Sequence, residues 1–245
     1  MDDYSYETYG QRIAGTYDDW YGGYDPAAID ALHELAQVGR ALELGIGTGR
    51  IALPLTQAGI EVHGIDASVA MLAQLRAKPG GDRIPVTLGD MADVAVEGEY
   101  ALIYVVFNTF YALLTQGEQV RCFGNVARHL VPTGSFVVEA FVPDLTRFSG
   151  HQALRTVDLT ENRVRLDATT HDPVTQQLVS QHVVLTEQGI RLYPVRLRYV
   201  WPAEFDLMAQ LAGLQLRHRW GSWSKAAFTA DSGRHISVYR HAPKV

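Results

Sequence analysis

The chain has 245 residues, 47% of them hydrophobic and 20% charged, with a formal net charge of −6. Its acidity and the scatter of its basic residues argue against a nucleic-acid duplex as partner, because there is no cationic surplus to neutralise phosphates. Its single cysteine, Cys122, excludes an intramolecular disulfide and a cysteine-based zinc site, and suits a buried thiol in a reducing cytoplasm.

The start, MDDYSYETYG, has neither the cationic nor the apolar part of a signal peptide. No apolar run approaches the ~18 residues of a membrane span. A cytoplasmic protein with no membrane partner and no metal site is expected. Residues 1–39 are rich in Tyr and Asp and form a predicted helical lid, with a helix opening at Pro26 and carrying Leu32, Leu35 and Ala36. A short apolar strand, Ala41–Leu44, then runs into Gly45, Gly47 and Gly49. Helix, strand IEVHGID, a helix capped by Ser68, strand PVTLGD, strand YALIYVVF, helix GEQVRCFGNVARHL and strand SFVVEAFV follow in turn. This alternation over 40–142 predicts an α/β fold: a Rossmann-like, doubly wound, mostly parallel sheet with helices on both faces. Strands apolar on both sides, such as ALIYVVF, agree with that. From 143 to 200 the period changes to two. RVRLDATTHD, QLVSQHVVLTE and IRLYPVRLRYVW predict an antiparallel β insertion. A helix after Pro202 and strands LQLRHRW and HISVYR, within 201–245, are expected to rejoin the main sheet.

In such sheets ligands bind beyond the strand ends at the switch point of strand order, so the glycine turn is the expected site. A P-loop would need Lys and Ser/Thr after the last glycine, and Arg50 and Ile51 stand there instead. A dinucleotide fingerprint would need its third glycine at position 50, where Arg50 sits. What remains is Glu43-Leu-Gly45-Ile-Gly47-Thr-Gly49.

At this point the chain resembles the class I S-adenosylmethionine-dependent methyltransferases, including sugar N-methyltransferases of natural-product pathways. Glu43 through Gly49 is similar to their first motif. Asp66, with Ala67 beside it, stands at the end of the second strand, where the resemblance implies an acid for the ribose hydroxyls. Gly89-Asp90-Met91 is similar to the segment that meets the adenine. YVVFNTFYALL, with Phe107, is similar to the strand end that reaches the methionine part, and RHLVPTGSFVVEAF to the end of the core. Thr133 and Ile46 depart from the usual pattern. The resemblance implies S-adenosyl-L-methionine as cofactor and S-adenosyl-L-homocysteine as product.

The acceptor side is read more openly. Tyr17 and Tyr21 stand one helical turn apart and are expected to face the pocket, Tyr21 as a catalytic residue, whereas Trp20 suits core packing. Asn108 follows a buried strand at its carboxyl end and is a substrate-contact candidate. Glu139, inside FVVEAF, is the candidate for binding a cationic acceptor or taking its proton. Arg198 and Tyr199 in the insertion and Trp223 near the C-terminus are further substrate-binding candidates. The insertion is expected either to cap the pocket or to pair two subunits as a homodimer, as the resemblance implies. The expected function is methyl transfer to N or O of a small molecule. The alternatives are a peptide or protein N-terminal methyltransferase and a non-catalytic protein that binds the cofactor.

Overall fold

In the computed structural model, which describes residues 4–243, three short helices precede the first strand: α1 (Tyr6–Ile13), α2 (Tyr17–Tyr21) and α3 (Pro26–Ala36). Asp25 caps α3 by accepting from the Ala27 amide, and Pro26 occupies the first turn, where a missing N–H leaves no bond unmade. There follow β1 (Ala41–Leu44), α4 (Ala52–Gln57), β2 (Val62–Asp66), α5 (Val69–Arg76), β3 (Val86–Leu88), β4 (Tyr100–Val105), α6 (Gln116–His129) and β5 (Leu130–Phe141). The inserted strands are β6 (Gln152–Leu159), β7 (Arg163–Asp172), β8 (Gln177–Thr186) and β9 (Gly189–Arg198). After them come α7 (Pro202–Leu211), β10 (Leu214–Trp220) and β11 (Arg234–His241).

The main sheet has seven strands in the order β10-β11-β5-β4-β1-β2-β3. β3, β2, β1, β4 and β5 run parallel, and β11 is antiparallel to both its neighbours. Side chains alternate across the central strands. Leu42, Leu44, Ile103 and Val105 face a core shared with α6 and α7, whereas Ala41, Leu102 and Tyr104 face one shared with α3 and α4. The chain moves outward from β1 to β3 and returns to begin β4 on the other side of β1. The switch point therefore lies between the carboxyl ends of β1 and β4.

The second sheet is a four-stranded antiparallel meander, β6-β7-β8-β9. The period-two pattern predicts three strands here, and the structure adds β6. A bulge between Thr156 and Asp158 breaks the alternation of β6, and the strand is largely exposed, so its residues carry little apolar pattern. β5 also begins earlier than SFVVEAFV suggests. Pro132, Thr133 and Gly134 form an irregularity within the strand, where the register against β4 jumps, rather than a turn before it.

The insertion packs on the main core through Leu178 and Tyr199 and on the lid through a second contact. Ile13, Ala14, Met71, Val184 and Tyr193 form a small core with Tyr9, Tyr17, Trp20 and Tyr21 packed around it. Trp20 stacks edge-on to Tyr193 at 5.0 Å, so it is a packing residue between lid and insertion. The inserted sheet thus buttresses the N-terminal helices from above. Among the described residues no helix is long and apolar enough to cross a membrane, and no cluster of His, Cys, Asp and Glu could hold a metal ion.

Candidate active site

Beyond β1 the backbone must reverse sharply to reach α4. The Gly45 and Ile46 amides both donate to the Ile65 carbonyl, at 2.8 and 3.0 Å. Gly45 takes φ +72°, and a Cβ there would lie 2.4 Å from Thr109 Cγ2. Only glycine combines that left-handed backbone with so close an approach of the β4 loop. Asp66 ties this turn to the next one. Its Oδ2 accepts from the Gly47 amide at 2.7 Å, and its Oδ1 accepts from the Ser68 amide at 2.8 Å. Ser68 in turn caps α5 by accepting from Met71. Burial raises the Asp66 pKa against the pull of these amides.

Glu43 is buried on β1, directly beside Tyr104 of β4, whose hydroxyl donates to it at 3.0 Å. Burial pushes the Glu43 carboxyl up to about 8, while the Tyr104 bond and the charge of Arg50 pull it the other way. Gly45, Gly47, Glu43, Asp66, Ala67, Asp90, Met91 and Phe107 all line one cavity of about 390 Å³, and Tyr9 and Tyr17 of the lid close it. Gly49 is not on that wall; its amide closes the loop onto the Ile46 carbonyl.

The β4 end is shaped by strain. Phe107 and Asn108 have φ +57° and +66° in succession, conformations that cost on the order of 1–3 kcal/mol each unless the surroundings hold them. Two side chains supply that restraint. Glu139 Oε2 accepts from the Phe107 amide at 3.0 Å, and Asn108 Oδ1 accepts from the Phe141 amide at 2.7 Å. Glu139 Oε1 is paired with Arg234 at 3.2 Å. Sequence reasoning offers Glu139 as an acid for the acceptor and Asn108 as a substrate contact. The structure uses both as struts that present Phe107 to the cavity, off its wall, because the strand ends need those hydrogen bonds more than solvent does.

Three other candidates also lie away from the cavity. Arg198 is buried in an ion pair with Glu204 at 2.9 Å and bonds to Gln176 and Gln119, joining the insertion to α6 and α7. The Tyr199 hydroxyl meets His171 Nε2 at 3.0 Å. Trp223 is buried in the core on the α3–α4 side. Each satisfies a seam of the fold that a single sequence does not display.

The lid is latched to the glycine turn by residues that sequence reasoning missed. The Thr48 hydroxyl donates to Asp18 Oδ1 at 2.6 Å, and Lys78 Nζ meets Asp18 Oδ2 at 2.7 Å while donating to the Thr48 carbonyl at 2.8 Å. Arg50 donates to the Gly23 carbonyl at 2.9 Å and lies over the Phe107 ring at 4.2 Å. Tyr21 packs edge-on to Phe107 at 5.2 Å and against Tyr17 at 5.3 Å, one layer behind the cavity wall. Tyr104, one of two tyrosines in β4, is the partner of Glu43, and nothing local distinguishes it from Tyr100.

Known proteins resemble this chain in sequence and fold. A family model described as a methyltransferase domain matches residues 41–134. The solved CcbJ methyltransferase from Streptomyces caelestis is 41% identical, with 98% of this chain and all of that one aligned (100%) and a TM-score of 0.91. The chain belongs to the class I S-adenosylmethionine-dependent methyltransferases. This methyltransferase is also 29% identical to the cypemycin N-terminal methyltransferase of a Streptomyces species, over 80% of this chain and 81% of that protein. The S-adenosylmethionine-bound amino pentose methyltransferase CalS10 from Micromonospora echinaspora has the same fold, at 21% identity, 98% and 93% coverage and a TM-score of 0.64. S-adenosylmethionine is the cofactor of this enzyme.

Proposed function

We propose that this enzyme methylates an amine nitrogen of a small natural-product-type molecule. The observation that carries the reading is the aromatic wall on the lid side of the cavity, Tyr9, Tyr17 and Phe107, with Tyr21 behind it. Burial holds both lid phenols protonated: Tyr17 is pushed up to about 12, and Tyr9 is raised well above its ordinary value. Neutral phenols are poor proton acceptors at pH 7, and Glu139 has both carboxylate oxygens engaged. An amine needs no such base, since its proton leaves to water before the displacement. The aromatic faces then favour the alkylammonium that forms. By its name, the cypemycin relative also acts at an N-terminus.

The cavity fits the cofactor. S-adenosylmethionine, when bound, supplies a methyl group on a sulfonium. The Asp66 carboxylate accepts from the Gly47 and Ser68 amides, with Ala67 also contributing, and its four lone-pair sites leave capacity for a ribose hydroxyl. Glu43 is a buried carboxyl suited to a cationic group, and Ala67, Met91 and Leu113 offer apolar walls for a ring. Tyr17 and Phe107 orient the acceptor and exclude water, which supports in-line attack.

Tritium transfer from labelled cofactor into matched amines, alcohols and peptides tests the reading. Label in amines, with little in alcohols, supports it. Transfer only to hydroxyls overturns it. A peptide with a free N-terminus, suggested by the cypemycin relative, is the second arm of the same panel. Asp66→Ala should weaken S-adenosylhomocysteine binding by about 1–3 kcal/mol, because two loop amides lose their acceptor together with the ribose. Calorimetry giving unchanged affinity would remove Asp66 from the site.

A further inference from the structure

The lid-facing side of the inserted sheet holds a charge arrangement that the fold does not explain. On that face the register sets Arg155 of β6 opposite Asp167 of β7, and Asp167 opposite His182 of β8. Asp167 is occupied twice: Arg155 reaches its Oδ2 at 3.2 Å and His182 its Oδ1 at 2.5 Å. Arg165 lies one step along the same face of β7, its guanidinium 4.6 Å from the Trp20 ring and 5.9 Å from that of Tyr21. Its Nε is buried without a hydrogen-bond partner. The pKa of Arg147, in the loop before β6, is lowered by burial and by the charge of Arg155, against the pull of Asp144 and Asp167. Among the described residues neither Arg147 nor Arg165 is within ion-pairing distance of a carboxylate. In a chain of net charge −6, three guanidiniums therefore gather on this part of the sheet: Arg155 is paired with Asp167, Arg147 feels the charges of Asp144 and Asp167, and Arg165 stands without a carboxylate among the described residues.

Like charges brought together with too few counter-charges repel, and a buried donor without an acceptor is costly. Arginine is also the residue suited to planar, two-pronged recognition of carboxylate and phosphate. The position is informative too. The Arg165 guanidinium lies 5.9 Å from the Tyr21 ring, Tyr21 packs on Phe107, and Phe107 lines the cofactor cavity, so the arginines stand behind the cavity wall on its lid side.

We propose that Arg165 and Arg155, with Arg147 at the rim, form an anion subsite that holds a carboxylate or phosphate group carried by the methyl acceptor. The subsite rests on the amine reading above and narrows it: the acceptor is an amine with an anionic oxygen group a short distance from the nitrogen. The Trp20 and Tyr21 rings steer the guanidinium of Arg165, leaving its outward N–H groups for the ligand.

Two measurements test this. In the first, small amines are offered with labelled cofactor as matched carboxylate, phosphonate and neutral amide members. The anionic member should be preferred at least tenfold in kcat/KM. That ratio should fall at least tenfold in Arg165→Met and Arg155→Met, recover in part in Arg165→Lys, and hold in Arg121→Met on the far side of the core. Equal rates for anionic and neutral members, or a ratio unmoved in the arginine variants, overturns the subsite while leaving the amine reading intact.

In the second, sodium acetate and inorganic phosphate are titrated separately into protein loaded with S-adenosylhomocysteine, and tryptophan fluorescence is followed. A saturable change that disappears in Arg165→Met and in Trp20→Phe, each with a native far-UV spectrum, supports the subsite. Whichever anion saturates at lower concentration identifies the group. No saturable change in wild type, or one that survives Arg165→Met, overturns it. If no amine of any kind accepts label, the amine reading fails, and the titration alone still decides whether the anion site exists.

Discussion

The two sides of the cavity are built by opposite means. The floor, from β1, β2 and the β4 loop, is made of backbone: amides of Gly47 and Ser68 on Asp66, glycines in left-handed conformations, and two strained residues held by Glu139 and Asn108. The roof, from the lid and the inserted sheet, is made of long side chains: Tyr9, Tyr17, Trp20, Tyr21 and Arg165. A backbone floor can recognise an invariant ligand and leaves little room for variation. A side-chain roof can be re-cut for a new acceptor without disturbing the floor, because its residues come from α1, α2 and the inserted sheet, outside the strands that build the floor.

The largest effect should come from breaking the floor. Gly45→Val places a β-branched residue at φ +72° with its Cβ 2.4 Å from Thr109 Cγ2. Strain and overlap together should amount to roughly 2–5 kcal/mol. Binding of S-adenosylhomocysteine, measured by calorimetry, should vanish, and Tm should fall. Near-normal affinity would mean that the turn re-forms elsewhere and that the floor is less rigid than its hydrogen bonds imply.

The roof should respond differently. Tyr17→Phe keeps the ring against Tyr21 and removes only the hydroxyl. Turnover should drop by about tenfold, on the scale of one hydrogen bond to a reacting group. Cofactor affinity should stay within about twofold. Equal losses in both would move Tyr17 from roof to floor.

Legibility in the sequence follows the same division. Glu43, Gly45, Gly47, Asp66, Ala67, Asp90, Met91 and Phe107 stand at or just beyond the carboxyl ends of strands that the apolar runs reveal. Their convergence on one wall was therefore readable from the strand ends taken together with the resemblance to methyltransferase motifs. Glu139 and Asn108 are also at strand ends, and position alone could not tell a wall residue from a strut. That distinction depends on which backbone amide lacks a partner. Arg198, Tyr199 and Trp223 belong to seams between segments far apart in sequence. The Asp18–Thr48–Lys78 contact joins three such segments, and no local pattern announces it. β6 was hidden by its bulge and its exposure.

That latch links floor to roof, so it tests whether the two are independent. Asp18 and Lys78 are each about one-third exposed, at 34% and 30%, so their ion pair is screened and contributes at most about 1 kcal/mol. The charge-assisted bond from the buried Thr48 hydroxyl adds to it. Asp18→Ala should weaken S-adenosylhomocysteine binding by roughly three- to tenfold. The product should also cease to protect the lid against limited proteolysis around Gly22 and Gly23. Lys78→Met should cause a smaller loss that does not add to that of Asp18→Ala. Full additivity would separate the two residues and leave roof and floor uncoupled.

The smallest effect lies within the floor and is a dependence on pH. The folded chain holds the Glu43 proton up to about 8, against an ordinary value of 4.5. Without ligand, this group's contribution to stability is therefore largest at low pH and falls as pH rises between those values. A bound ammonium or sulfonium reverses the preference, because it favours the carboxylate. Affinity for S-adenosylmethionine should then rise with pH up to about 8 and level off above it, with a slope of no more than about tenfold per unit. Glu43→Gln keeps an acceptor for the Tyr104 hydroxyl and removes the titration, so both the affinity slope and the stability slope should flatten. If the affinity slope persists in Glu43→Gln, the titrating group is another one. Asp66 is then the first to test, since it too is buried and its proton affinity is also raised.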